Sequence, residues 1–282
     1  MENRILKEFI LKSLAEDLGD GDHSSLACIP ADAIGKAKLL IKEKGVLAGI
    51  RVAVELFSAI DKDLKPDLIL EDGTNVVPGD IAFYVSGNQQ SILKSERLVL
   101  NIMQRMSGIA TRTHEYAILL EGLKSKILDT RKTTPGIRFL EKEAVRIGGG
   151  MNHRMGLYDM ILLKDNHIDY AGGIEKAINK TREYLKKSNL NIKVEIEARS
   201  IEDVRKILTA GGVDRIMLDN FSVEETRRAV KEISGRYETE SSGGIDLSTI
   251  RAYAECGVDY ISVGALTHHI KSLDMSLKAI KE

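Results

Sequence analysis

Residues 192–221 read IKVEIEARSIEDVRKILTAGGVDRIMLDNF. Two short runs, Ile192–Ile196 and Arg215–Leu218, end in polar residues: Glu197 after the first, Asp219-Asn220 after the second. A helical segment lies between them. A strand feeding a helix makes a βα unit, and consecutive units build a parallel sheet with its loops on one rim. The rhythm recurs along the second half of the chain, predicting further strands at Lys126–Leu128, Met160–Leu163, Arg236–Thr239 and Tyr260–Val263. Their endings are DTRKT at 129–133, KDNH at 164–167, ESSGG at 240–244 and GALTH at 264–268. Ligands of α/β barrels and open sheets bind at the carboxyl ends of the strands, so these endings locate a candidate site. Most of the runs are short and apolar, as expected of strands buried on both faces; Arg236–Thr239 is largely polar and fits least well. Six units are fewer than a full barrel needs, which leaves an incomplete barrel and an open doubly wound sheet both possible.

Upstream the rhythm is absent. A helix is predicted near 3–18, followed by a loop, Gly19-Asp20-Gly21-Asp22-His23-Ser24-Ser25. Short strands near 35–43, 45–49, 67–71 and 81–85, with a helix near 50–60, suggest a small α+β domain. A long helical stretch from Ser91 to Leu123 connects the two halves, with Ser107-Gly108 as a candidate break.

The composition narrows the function. Of 282 residues 43% are hydrophobic and 29% charged, an ordinary globular balance. A net charge of −1, no Trp and 5% aromatics argue against a nucleic-acid partner. No apolar run approaches the roughly 20 residues of a membrane span. Cys28 and Cys256 stand far apart, outside any CxxC pattern, and are expected as small core residues in a reducing compartment. The expected location is the cytoplasm.

The strand endings sort into three chemistries. The early ones are cationic: Arg131, Lys132 and Lys164, with His153-Arg154 between them after Gly148-Gly149-Gly150. Arginine's planar fork and lysine's point charge suit a carboxylate or phosphate. The middle pair, Glu197 and Asp219, suits ribose hydroxyls or Mg²⁺, or serves to neutralise Lys132 or Lys164. The late endings, Ser242-Gly243-Gly244 and Gly264-Ala265, suit phosphate, because glycine admits close backbone approach and a helix start offers N–H donors. Neither GxGxxG after the first strand nor GxxxxGK[ST] is present, and no histidine spacing marks a metal site.

The motifs EDLGDGDHSS (16–25), SERLVLNIMQRMSGIATRT (95–113), DTRKTTPGIR (129–138), GGGMNHRMGLYDMILLKDNH (148–167), VEIEAR (194–199), LDNF (218–221), ESSGGI (240–245) and GVDYISVGALTHH (257–269) together resemble the quinolinate phosphoribosyltransferase family. The resemblance spans nearly the whole chain. It implies an α/β fold: an N-terminal α/β sandwich domain plus an incomplete parallel α/β barrel. The corresponding boundaries are 1–105, rejoined by a C-terminal helix at 271–282, and 106–270. It implies the conversion of quinolinate and phosphoribosyl pyrophosphate into nicotinate mononucleotide, pyrophosphate and CO₂, in NAD biosynthesis. It also implies a homodimer, or a hexamer built from dimers, with Arg97 reaching the partner's site. Arg131, His153 and Arg154 are expected on the substrate carboxylates, with Lys132 and Lys164 beside them. Glu197 and Asp219 are expected on ribose and on Mg²⁺ with the substrate pyrophosphate, and Ser242, Gly243, Gly244, Gly264 and His268 on phosphate. Lys132, Lys164, Glu197 and Asp219 carry the expected catalytic roles. One rival is a relative of the same fold acting on a monocarboxylate such as nicotinate, or a pyrophosphorylase-like protein linked to metal uptake; the surplus of cations speaks against it. The other is a non-catalytic phosphate-binding barrel.

Overall fold

The computed structural model describes residues 2–280. Its helices are α1 (Glu2–Leu18), α2 (His23–Cys28), α3 (Ile50–Ile60), α4 (Gln89–Leu119), α5 (Arg138–Ile147), α6 (Asp165–Ala171), α7 (Ile174–Ser188), α8 (Ile201–Ala210), α9 (Val223–Ile233), α10 (Ile250–Ala254) and α11 (Ala265–His268). Its strands are β1 (Ile34–Ile41), β2 (Gly45–Val46), β3 (Lys65–Leu68), β4 (Asn75–Val76), β5 (Ile81–Asn88), β6 (Lys126–Leu128), β7 (Ile161–Leu163), β8 (Val194–Ala198), β9 (Arg215–Asp219), β10 (Glu238–Ser242), β11 (Tyr260–Ser262) and β12 (Met275–Ala279). They fall into two compact units. One holds the chain up to His114, Thr134–Gly149, and the chain from His269 onward; the other holds Glu115–Thr133 and Gly150–His268.

In the first unit an antiparallel sheet runs in the order β12-β1-β5-β3. Ala37, Leu39 and Ile41 of β1 are buried with Phe83 and Val85 of β5, and Phe57 of α3 meets Phe83 edge to face at 5.6 Å. Lys36, Lys38 and Tyr84 lie on the opposite side of the pleat, with Lys36 over the Tyr84 ring.

Several expectations change here. The C-terminal segment is a strand, not a helix, and pairs antiparallel with β1. Leu273, Met275 and Leu277 are buried at every second position, which is strand periodicity; residues 281–282 lie outside the described residues. The segment Thr134–Gly149, expected with the barrel, belongs to the first unit. His23–Ser25 are helical rather than loop, because Asp22 caps α2 by accepting from the Ser25 amide. Helix α4 runs unbroken through Ser107-Gly108. Ser107 Oγ bonds the Ala48 amide and carbonyl, and a side chain at 108 would collide with the Lys271 carbonyl, so Gly108 serves a close approach. Cys28 is exposed, while Cys256 is buried as expected.

The second unit carries a parallel sheet in the order β6-β11-β10-β9-β8-β7. From β7 to β11 each strand lies beside the next in sequence, and β6 pairs with β11. The order never reverses, so the sheet winds as a barrel. It lacks the β6–β7 junction, where Leu128 bridges only to Met151. This decides for the incomplete barrel. The polar run expected at 236–239 is displaced: β10 is Glu238–Ser242, so Glu240, Ser241 and Ser242 are strand rather than loop.

Candidate active site

Successive strand residues point to opposite faces. One face of the parallel sheet carries Glu195 and Glu197 of β8, Arg215, Met217 and Asp219 of β9, and Glu238, Glu240 and Ser242 of β10. The other carries apolar residues, including Ile196, Ala198, Ile216 and Leu218, all buried. The strands therefore alternate, and are not apolar on both faces. β10 reads as polar because its other face is polar too, with Thr239 and Ser241 beside Ile216 and Leu218 of β9.

A cavity of about 650 Å³ lies at the carboxyl ends of these strands. Arg131 and Lys132 enter it after β6, His153 and Arg154 from the following loop, and Lys164 after β7. Glu197, Asp219 and Ser242 enter from their strands, Gly243 and Gly244 after β10, and Gly264 and His268 after β11. All the predicted site residues except Arg97 line this one cavity. Arg97 is exposed on α4 of the first unit.

Local bonds fix the cationic residues. The Lys132 carbonyl accepts from Thr267 Oγ1 at 2.9 Å, and its amide donates to Thr130 Oγ1 at 3.0 Å. Buried Asp129 accepts from the His153 amide at 2.9 Å and from Asn152 Nδ2 at 2.5 Å, which sets the start of the His153-Arg154 loop. Arg154 Nη1 donates to the Met160 carbonyl at 3.1 Å. The Lys164 amide donates to His167 Nδ1 at 2.9 Å.

The acidic pair divides its work. Glu197 Oε1 accepts from Lys164 Nζ at 2.5 Å and Oε2 from the Asp165 amide at 3.0 Å. Glu197 thus neutralises Lys164, one of the roles open to it from sequence. Asp219 Oδ2 accepts from Asn220 Nδ2 at 2.8 Å. Burial, then the nearby Glu197 charge, raises the Asp219 pKa above the usual carboxylate value. Asp219 lines the cavity as a hard oxygen donor of the kind a magnesium ion takes, whereas both Glu197 oxygens are already held by Lys164 and the Asp165 amide.

The glycine-rich ending after β10 does not lead directly into a helix. α10 starts only at Ile250, and Asp246 Oδ1 first caps a turn through the Ser248 and Thr249 amides. Gly243 has φ +101°, and a side chain there would strike Asn220, so the loop itself requires glycine. Gly264 does lead directly into α11.

Two family models match the chain. The one for the quinolinate phosphoribosyl transferase C-terminal domain covers residues 109–278, and the one for the N-terminal domain covers 22–107. The chain belongs to the quinolinate phosphoribosyltransferase family. It is 46% identical to the Nicotiana tabacum protein named quinolinate phosphoribosyltransferase [decarboxylating] 2b, mitochondrial, over 97% of this chain and 82% of that one. It is 42% identical to a probable nicotinate-nucleotide pyrophosphorylase [carboxylating] of Bacillus subtilis, over 98% and 94%. Among solved structures, NadC from Streptococcus pyogenes superimposes with a TM-score of 0.92 at 40% identity, over 97% of this chain and 96% of that one. The nicotinate-nucleotide pyrophosphorylase from Francisella tularensis gives 0.92 at 40%, over 99% and 97%.

In this member of the quinolinate phosphoribosyltransferase family the cavity also has walls that the strand endings did not reveal, Leu162, Met217 and Ser262. Each lies two residues before a predicted site residue, on the same face of its strand. That spacing was the available signal. Below the acidic pair, Glu195 and Glu240 are buried side by side. Burial raises Glu195 to about 7 and Glu240 to about 8, and the neighbouring Glu195 charge adds to the second shift. Arg215 Nη1 lies 2.9 Å from Glu240 Oε2 and 3.9 Å from Glu195 Oε2. His153, Glu195 and Glu240 converge within 4.8 Å, but the Arg215 guanidinium already supplies positive charge there. Burial, then the neighbouring Arg131 charge, lowers the Arg154 pKa.

Proposed function

We infer that this chain is a decarboxylating quinolinate phosphoribosyltransferase. It joins quinolinate to phosphoribosyl pyrophosphate and releases nicotinate mononucleotide, pyrophosphate and CO₂, a step of NAD biosynthesis. The observation that carries the reading is the convergence, in one cavity, of a cationic wall, an acidic pair and two glycine-rich loops. A dicarboxylate fits the first, a ribose the second and phosphates the third.

Arg131 and Arg154 clamp the two carboxylates, with Lys132 and Lys164 adjacent. Charge-assisted bonds of this kind contribute about 1.5–3 kcal/mol each. Held there, the pyridine nitrogen faces the ribose anomeric carbon and displaces pyrophosphate. Lys132 offsets the charge that grows on the leaving group, while Glu197 and Asp219 hold the ribose and face the positive charge that grows on the sugar. Glu197 and Asp219 are the residues that would hold a magnesium ion, which would supply further charge neutralisation for the pyrophosphate when bound. The N-alkylated ring then carries the positive charge that stabilises the carbanion left when CO₂ departs. A solvent proton completes the step. The protein's main contribution is positioning.

A shared site in a homodimer follows from Arg97. It is exposed on α4 beside exposed Leu93, and Leu98 and Ile102 of the same helix line an apolar groove of about 190 Å³. That surface suits a second copy, which then receives Arg97 at its cavity. Arg97→Ala and Lys132→Ala are each weak alone, and mixed dimers recover part of the activity; no recovery removes the shared site. Two free thiols fit a reducing compartment such as the cytoplasm, and among the described residues no helix is long and apolar enough to cross a membrane.

The decisive measurement is release of CO₂ and pyrophosphate from quinolinate and phosphoribosyl pyrophosphate with Mg²⁺. Release of neither defeats the reading. Pyrophosphate release from nicotinate in preference to quinolinate favours the monocarboxylate rival.

A further inference from the structure

His153 lines the cavity, yet both of its ring nitrogens face protein atoms. Nδ1 accepts from the Arg154 amide at 2.6 Å. Nε2 lies 3.0 Å from Glu195 Oε2 and 3.6 Å from Glu240 Oε2. A nitrogen that accepts carries no proton, so the ring proton belongs on Nε2, toward the acids. The His153 side chain is 6% exposed and that of Glu195 is fully buried. Among the described residues neither His153 Nε2 nor either Glu195 oxygen makes a hydrogen bond of standard geometry, so the 3.0 Å approach is an electrostatic contact between the imidazole edge and a buried acid. On the far side Arg215 holds Glu240, and its guanidinium stacks over the Tyr260 ring at 4.0 Å. The chain of contacts therefore runs from Arg215 through Glu240 and Glu195 to the His153 ring, and from its Nδ1 to the backbone of Arg154.

We propose that Glu195, backed by Glu240 and Arg215, is a positioning residue: it holds the His153 imidazole as the Nε2–H tautomer, so that Nδ1 fixes the backbone from which Arg154 reaches the quinolinate carboxylates. His153 then serves the site through Arg154 and does not bind a carboxylate with its own ring. The arrangement is the one by which a carboxylate behind a histidine sets its tautomer and orientation. It differs in that the oriented nitrogen bonds the next residue's amide. Arg154 needs such a support. Its guanidinium is buried near the like charge of Arg131, and its Nη1 reaches the Met160 carbonyl, so a shifted backbone would forfeit the clamp geometry.

This inference deepens the functional reading and rests on it for the kinetic part of its test. Two measurements keep the two claims apart. In ¹⁵N-histidine-labelled protein without substrate, the signal that vanishes in His153→Asn is expected to show a protonated Nε2 and a bare Nδ1. A protonated Nδ1, alone or with Nε2, overturns the proposal whatever the enzyme turns over. The second measurement is kinetic. Glu195→Met keeps the buried volume and removes the carboxylate. It is expected to raise KM for quinolinate about tenfold, while KM for phosphoribosyl pyrophosphate stays within about twofold. Glu195→Gln retains an acceptor and is expected to restore most of the loss. A disturbance merely transmitted along β8 would reach Glu197 and move the phosphoribosyl pyrophosphate KM as well. Equal changes in both constants, or no change in either, overturn the positioning role. If Glu195→Met does not fold, the Gln variant carries the test by the tautomer signal, which must persist.

Discussion

The two sheets of this molecule spend their buried faces differently. In the antiparallel sheet of the first unit, Leu39, Ile41, Phe83 and Val85 are buried at alternate positions, and the polar residues of the pleat face outward. In the parallel sheet of the second unit, the buried face holds Glu195, Glu197, Arg215 and Glu240. Apolar burial stabilises by about 25 cal/mol per Å² removed from water, whereas a buried charge costs energy unless it is paired. The first sheet is therefore built for stability. The second gives some of it up to hold opposite charges in fixed places under a cavity, and the buried pair Glu195–Glu240 shows the cost in its raised pKa values. Scaffold and site are physically distinct in their chemistry, and substitutions can show how distinct.

The largest effect is expected in the scaffold. Leu39→Ala removes a fully buried side chain and is expected to cost about 2–5 kcal/mol of stability by denaturant unfolding. The remaining folded protein keeps its kcat/KM, and a parallel fall in kcat/KM would break the division between the sheets. Next comes the clamp. Arg131→Ala is expected to lower kcat/KM for quinolinate about ten- to a hundred-fold with little change in Tm. A near-normal rate removes Arg131 from the clamp.

The third prediction concerns pH. Burial, with the neighbouring Glu195 charge, raises Glu240 from the ordinary glutamate value to about 8, so the fold binds a proton that the unfolded chain releases at lower pH. The groups facing it are Glu195 from β8, Arg215 from β9, Ser262 from β11 and His153 from the loop. Its contribution is fully present below about pH 4.5 and is lost as pH rises through about 8. Glu240→Gln cannot ionise, so stability between pH 5 and 8 should fall less steeply in the variant. Identical slopes would sink this. The smallest effect belongs to the barrel's own scaffolding. Ser200 caps α8 by accepting from the Asp203 amide, and Ser200→Ala is expected to cost about 1 kcal/mol without altering either KM.

The contrast between the sheets also explains what could be read in advance. The βα rhythm placed five of the parallel strands within a few residues, because their outward faces are apolar and their helices intervene. It shifted β10 to 236–239, because Thr239 and Ser241 stand on the face that is apolar in its neighbours, so no alternation marks the strand. The cavity residues are legible where they stand at strand ends, and hidden where they stand one pleat lower, as with Leu162, Met217 and Ser262. The C-terminal helix implied by the family resemblance is a strand, and Leu273, Met275 and Leu277 alternate as its pairing with β1 requires.

The sequence by itself determined the family, the order of chemistries along the strand endings and the presence of a barrel-type repeat, because these are properties of local pattern and spacing. Only the tertiary structure decided that the barrel lacks its β6–β7 junction and that Thr134–Gly149 packs with the first unit. It alone placed the His153 ring nitrogens beside Glu195 and the Arg154 amide. Those outcomes depend on which distant residues share a buried volume, and there the balance of desolvation and pairing, not residue type, sets what a side chain does.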